Sequence, residues 1–218
     1  MADIFDLFKQ IAKKESSPAG KPTHIIAGLG NPGKEYERTR HNAGYMALDH
    51  LAACLGTDVS RSRFNALCGD AMLGEARVLL MKPLTFMNAS GEAVRAAMDF
   101  YKIPAENVLI LVDDIYQDAG RMRVRGGGSD GGQKGLKSII RELGTDAFPR
   151  IRFGVGQKPN PQYELADWVL GVLPEADMKK LQTCFPLVEE AAKRIFAGKL
   201  DLAMGLCNGH RPEAEAAK

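Results

Sequence analysis

Asn31, Arg38, Thr39, Arg40, His41 and Asn42 crowd hydrogen-bond donors and acceptors into one short stretch just ahead of a helical pattern. Among them His41 is the residue suited to moving a proton at neutral pH. The other histidines have blander settings: His24 opens a strand-like run, His50 sits inside a helical pattern and His210 lies near the carboxyl end. A histidine close to a helix N-terminus feels the positive end of the helix dipole, which disfavours imidazolium and keeps a ring lone pair available. That is the state a general base needs, and a carboxylate should stand behind it to orient the ring and stabilise the imidazolium once it forms. Asp113 and Asp114 end the run Val108 to Val112. Neighbouring strand residues face opposite ways, so one of the two is expected to enter a cleft; Asp113 is the preferred choice and Asp114 the fallback.

The elements that would carry these groups follow from the apolar pattern. His24 to Ala27, Val78 to Met81 and Val108 to Val112 read as central strands, the last apolar at every position as in a strand buried on both faces. Arg121 to Arg125 and Arg150 to Phe153 alternate instead, which predicts strands presenting cations on one wet surface. Helical spacing marks Leu48 to Leu55, Val94 to Tyr101 and Leu136 to Leu143, with a C-terminal helix from Leu181 through Ile195. Such alternation predicts an α/β fold: one domain with a twisted, mostly parallel but mixed central sheet flanked by helices. Asn-bearing or acidic segments follow three of the strands, and in open α/β sheets ligands bind outside the carboxyl ends of strands.

The first of those segments, Gly28-Leu29-Gly30-Asn31-Pro32-Gly33, matches the G-x-G-x-x-G pattern of dinucleotide sites. That fingerprint also requires a helix opening at the glycines and an acidic residue about 20 positions later. Here a polar loop of about ten residues separates Gly33 from the first helical spacing near Gly44 or Tyr45. No acidic residue ends a second apolar strand at the right offset, so no dinucleotide is expected. A tight turn at Asn31-Pro32-Gly33 accounts for the glycines and proline.

Composition narrows the rest. A hydrophobic content of 45% and a charged content of 26% in 218 residues fit one folded domain with a substantial core. The net charge is a mild +2, yet Arg121 to Arg152 holds eight basic residues against three acidic ones. That segment carries +5 and the remainder −3, a segregation that phosphate contacts require. Cys54, Cys68, Cys184 and Cys207 form no C-x-x-C pair, which favours reduced, packed thiols and a cytoplasmic protein. Cys207 and His210 lack the further ligands of a zinc site, so no metal is expected. No apolar stretch is long enough for a signal peptide or membrane span. Ile4, Phe8 and Ile11 suggest a short amphipathic helix within an extension over 1–22; the main domain is then 23–210, with a frayed tail over 211–218.

At this point the motifs resemble those of bacterial peptidyl-tRNA hydrolases. The matching stretches are GLGNPGKEYERTRHNAGYMALDHLA, KPLTFMNASGEAV, VLILVDDIYQDAGRMRVR, GGGSDGGQKGLKSII and PRIRFGVGQ, in the family's order. The resemblance implies a monomeric, cofactor-independent α/β enzyme that cleaves the ester joining a peptide to the terminal ribose of tRNA. It assigns His41 as the base and Asp113 as its orienting carboxylate. By the same resemblance Asn31, Tyr36, Met87 and Asn88 line the substrate cleft, while Arg125 and Arg152 meet tRNA; Lys137, at the start of the third helix, adds to that contact by its charge. Asn is also a common turn former and helix cap, and Asn88 stands where it could cap the helix that follows.

One departure stands out. Where the family commonly carries G-G-H-N-G, this chain has Gly131-Gly132-Gln133-Lys134-Gly135. Lys134 has no acceptor, so the family asparagine's role does not transfer to it intact; contact with the terminal phosphates or with oxyanion charge is the expectation there. The departure also motivates a second reading, a non-catalytic RNA-binding protein on the same scaffold. Against it stand His41, Asp113, Asn31 and Asn88.

Overall fold

The computed structural model describes residues 20–212. The expected helix over Ile4 to Ile11 and most of the expected tail lie outside that range. Seven strands form one sheet in the order β2-β3-β4-β1-β5-β7-β6. They span His24–Gly28 (β1), Arg61–Arg63 (β2), Ala66–Leu73 (β3), Ala76–Pro83 (β4), Val108–Asp114 (β5), Met122–Arg125 (β6) and Arg150–Gly154 (β7). The central strands β4, β1, β5 and β7 run parallel, and the antiparallel pairings β2–β3, β3–β4 and β6–β7 make the sheet mixed.

Helices cover both faces, and the parity of the strands decides which side chains meet them. Ile26, Leu109 and Leu111 enter the core shared with α1 (Ala43–Cys54), α6 (Pro186–Phe196) and α7 (Leu200–Asn208). Ile25, Ala27, Val108, Ile110 and Val112 enter the other core, with α2 (Ser90–Tyr101) and α3 (Lys134–Leu143). Two short helices, α4 (Leu165–Leu170) and α5 (Glu175–Gln182), complete the described α-helices. None of the described helices is long and apolar enough to cross a membrane.

The glycines of the opening motif serve packing. A Cβ at Gly28 would overlap the carbonyl oxygen of Gly44, and one at Gly44 would stand 2.6 Å from both Leu29 N and Leu29 O. Helix α1 therefore lies directly on the end of β1. The chain from Gly33 to this helix contains only short 3₁₀ turns at Lys34–Tyr36 and Arg40–Asn42, so no helix opens at the glycines.

One element was not expected and two expectations need adjustment. The β2–β3 hairpin was not legible, because Ala66–Leu73 (ALCGDAML) has neither β-branched residues nor strict alternation. Its strand character comes from eight antiparallel partners on β4, from Ala66↔Pro83 to Leu73↔Ala76. The helix expected through Leu181–Ile195 is two helices, since Pro186 has no N–H to continue the ladder and instead starts α6. Finally, β6 and β7 do place Arg123 opposite Arg152 and Arg125 opposite Arg150 on one face, but that face is not uniformly wet. Arg150 is buried, stacks on Phe148 and donates to the carbonyls of Gly128, Asp146 and Phe148. Burial pushes its guanidinium down to about 10.

Candidate active site

The carboxyl ends of β1, β4 and β5 lie side by side in the parallel part of the sheet, and the segments leaving them enclose one cavity of about 500 Å³. Asn31, Tyr36, His41, Met87, Asn88, Asp113, Lys134 and Arg152 all line it. Lys137 lies in an adjoining groove with Asn88, Lys134, Ser138 and Arg141. Arg125 lines neither; it is an exposed residue of β6.

His41 Nδ1 lies 3.0 Å from Asp113 Oδ1, and both side chains are buried. Asp113 continues the parity of Leu109 and Leu111, which turns it toward the side where the 3₁₀ turn before α1 carries His41. Asp114 points elsewhere: it accepts from Tyr116 N, Gln117 Nε2 and Arg152 Nε. The choice between the two aspartates is thus made by strand parity. Because a carboxylate accepts, His41 Nδ1 is the donor of this pair and Nε2 is the ring nitrogen left with a lone pair.

Around this pair the polar side chains close into a ring. Asn31 Oδ1 accepts from Met87 N at 2.8 Å, so the Asn31 amide hydrogens are left for the cavity. Asn42, next to His41, grips the Asn31 backbone from both sides: Asn31 N donates to Asn42 Oδ1 at 2.8 Å and Asn42 Nδ2 to Asn31 O at 3.0 Å. Gln133 Nε2 lies 2.9 Å from Asp113 Oδ1 and 3.2 Å from Met87 Sδ, while its Oε1 accepts from Leu136 N and caps α3. Sequence reasoning noticed Gln133 only as a departure and gave Asn42 no role of its own. The available signal was position, one residue before a helix and one residue after His41.

Phe86 was also missed. Its backbone has φ 55 and ψ 163, costly for a residue with a Cβ, and this conformation turns the chain so that Met87 N meets Asn31. The Phe86 ring, 51% exposed, stands edge-on to Tyr36 at the rim of the cavity. Asn88 makes no capping hydrogen bond to the helix it precedes.

The far wall comes from α4, which supplies Leu165, Ala166, Val169 and Leu170. It is fastened to the His41 turn by Arg40, whose guanidinium stacks on Trp168 and donates to Trp168 O and Val172 O. Burial lowers the proton affinity of this guanidinium. The cavity therefore has an apolar side and a cationic side, the latter carrying Lys134 and Arg152. Arg152 is partly committed, since its Nε pairs with Asp114 Oδ2 at 3.1 Å.

Comparison with known proteins extends over nearly all the described residues. A family model described as peptidyl-tRNA hydrolase matches residues 25–215. The peptidyl-tRNA hydrolase of Lachnospira eligens is 45% identical over 186 residues, covering 85% of this chain and 100% of the relative. That of Clostridium perfringens (strain SM101) is 42% identical over 185 residues, covering 85% of this chain and 97% of the relative. Among solved structures, peptidyl-tRNA hydrolase from Acinetobacter baumannii superposes with a TM-score of 0.81 at 31% identity, covering 89% of this chain and 100% of that one. With the same sheet and a match that begins at Ile25 and runs through every segment of the cleft, the chain belongs to the peptidyl-tRNA hydrolase family of enzymes.

Proposed function

We propose that this cleft hydrolyses the ester between a peptide and the terminal ribose of tRNA, freeing the tRNA for reuse in translation. The observation that carries the reading is the buried His41–Asp113 contact on the wall of an open cavity. Water held in the cavity gives its proton to His41 Nε2 as it attacks the ester carbonyl, and Asp113 stabilises the imidazolium. The Asn31 amide, whose oxygen is already taken by Met87 N, turns its hydrogens toward the developing oxyanion, with Asn88 beside it. On collapse the ribose hydroxyl leaves and takes its proton from His41. One bond is broken, one is formed, and the base is regenerated.

The substrate's two halves match the two sides of the cleft. Peptide lies along Tyr36, Phe86, Met87 and the α4 wall. The tRNA lies toward Lys134, Lys137, Arg125 and Arg152, meeting them through phosphates. Lys134 stands where the cavity and the basic groove adjoin, a position suited to a terminal phosphate.

The test is turnover of an N-blocked aminoacyl-tRNA by the purified protein without added metal. His41→Ala should lower the rate by roughly 1000-fold or more, since the variant has no base to carry the proton. Full activity in that variant would remove His41 from the mechanism. Tight tRNA binding without turnover across the pH range would instead favour a non-catalytic RNA-binding role.

A further inference from the structure

We propose that Gln133 is a positioning residue for the His41–Asp113 pair, a neutral second donor that holds the Asp113 carboxylate in the orientation that keeps His41 protonated on Nδ1. This rests on the function proposed above. Asp113 Oδ1 receives two N–H groups, His41 Nδ1 at 3.0 Å and Gln133 Nε2 at 2.9 Å. The direction of the Gln133 amide is settled by its other contacts: Oε1 is held by Leu136 N at 2.8 Å, so Nε2 must face Asp113. The same Nε2 lies against Met87 Sδ, and the residue is only 7% exposed, leaving the amide little room to turn.

A carboxylate that is 1% exposed needs donors, and a carboxylate with one donor can still rotate about its terminal bond. Two donors converging on one oxygen from different elements, the turn before α1 and the cap of α3, remove that rotation. Position 133 is where this chain departs from the histidine of the family pattern. An amide supplies the donor without a titration of its own. The helix cap and the carboxylate contact are made by the oxygen and the nitrogen of one terminal amide, so the loop Gly131-Gly132 cannot shift without disturbing both.

Two substitutions separate these jobs. Gln133→Asn keeps a good capping amide but is one methylene too short to reach Asp113 while capping; Gln133→Met loses both contacts at nearly constant volume. With an N-blocked aminoacyl-tRNA as substrate, both should lower kcat by roughly tenfold or more while KM stays within about twofold, because the lost donor acts on the proton-transfer pair. Gln133→His, which can return an N–H to Asp113, should restore kcat to within about threefold. In ¹⁵N spectra of the full-length protein, the Nδ1-protonated tautomer of His41 should dominate in the wild type and lose population in Gln133→Asn. Wild-type kcat in Gln133→Asn, or an unchanged tautomer signal, overturns the proposal. Absence of turnover by the wild type would overturn the proposed function instead, and the tautomer comparison would still decide the role of Gln133.

Discussion

The guanidinium carbon of Arg40 lies 3.5 Å from the centre of the Trp168 ring, joining the residue beside the histidine to the helix that forms the opposite wall of the cleft. The joint is reinforced by the Thr39↔Val172 bridge, by Arg40 N donating to Gly171 O and by Trp168 Nε1 donating to Gly156 O. Arg40→Lys keeps the charge but loses the planar stack and the placement of Nη1 between two carbonyls, and should cost about 1–3 kcal/mol. Trp168 is the chain's one tryptophan. Its emission should therefore shift to the red in this variant, alongside a lower melting temperature and a higher KM.

Asp113→Asn preserves shape and leaves an oxygen that can still accept from Gln133, but removes the charge that stabilises an imidazolium. We expect kcat to fall by roughly 100-fold or more with little change in KM, as when the carboxylate behind a catalytic histidine is neutralised. Asp114→Asn acts on a different contact, the Arg152 pair. Steady-state kinetics of the two variants should separate them, with only Asp113→Asn carrying the large loss in kcat.

Gly44→Ala should be severely destabilising. The added methyl meets backbone atoms of Leu29 and Leu111, which cannot swing aside as a flexible side chain can. Overpacking of this kind costs about 1–3 kcal/mol or more. Urea unfolding should show a lower midpoint, and Gly56→Ala, where open space surrounds the position but φ is +62, should show a smaller loss.

The arginines on the β6–β7 face should divide into two kinds. Arg150→Met strands the carbonyls of Gly128, Asp146 and Phe148 in the interior, and a loss of about 3 kcal/mol is expected in denaturant unfolding. Arg125→Gln leaves stability within about 0.5 kcal/mol. It should instead reduce the salt dependence of tRNA binding by about one unit of slope, as expected for one lost phosphate contact.

The thiols give a pH prediction. Burial raises Cys68 and Cys207 to about 11 and Cys184 to about 12, against an ordinary value of 9.0. Above that value the unfolded chain releases these protons before the folded one does. Their contribution to stability is therefore fully present below pH 9 and is lost as pH rises toward 12. Melting temperature should fall through that window, and a Cys184→Ala, Cys207→Ala variant should show a shallower fall. At neutral pH, iodoacetamide should label exposed Cys54 in the native protein and the other three only after unfolding, as read by mass spectrometry.

Much of this protein was legible in the chain because its signals are local. Apolar runs such as Val108 to Val112 must be buried on both faces, helical periodicity located α1, α2 and α3, and a polar cluster ahead of a helix marked His41. The end of the buried run narrowed the carboxylate to Asp113 or Asp114, and strand parity meant that only one of them would face the cleft. What the chain could not disclose is contact between residues remote in sequence. The β3 strand exists through its pairing with β4, and Arg150 is interior because three backbone carbonyls happen to surround it. Gln133 reaches Asp113 across 20 positions, and Arg40 reaches Trp168 across 128, to reside beside the same histidine. Residue type sets what a side chain can donate or accept; which partner receives it is decided only when the strands stack in the order β4-β1-β5 and bring three chain segments to one edge.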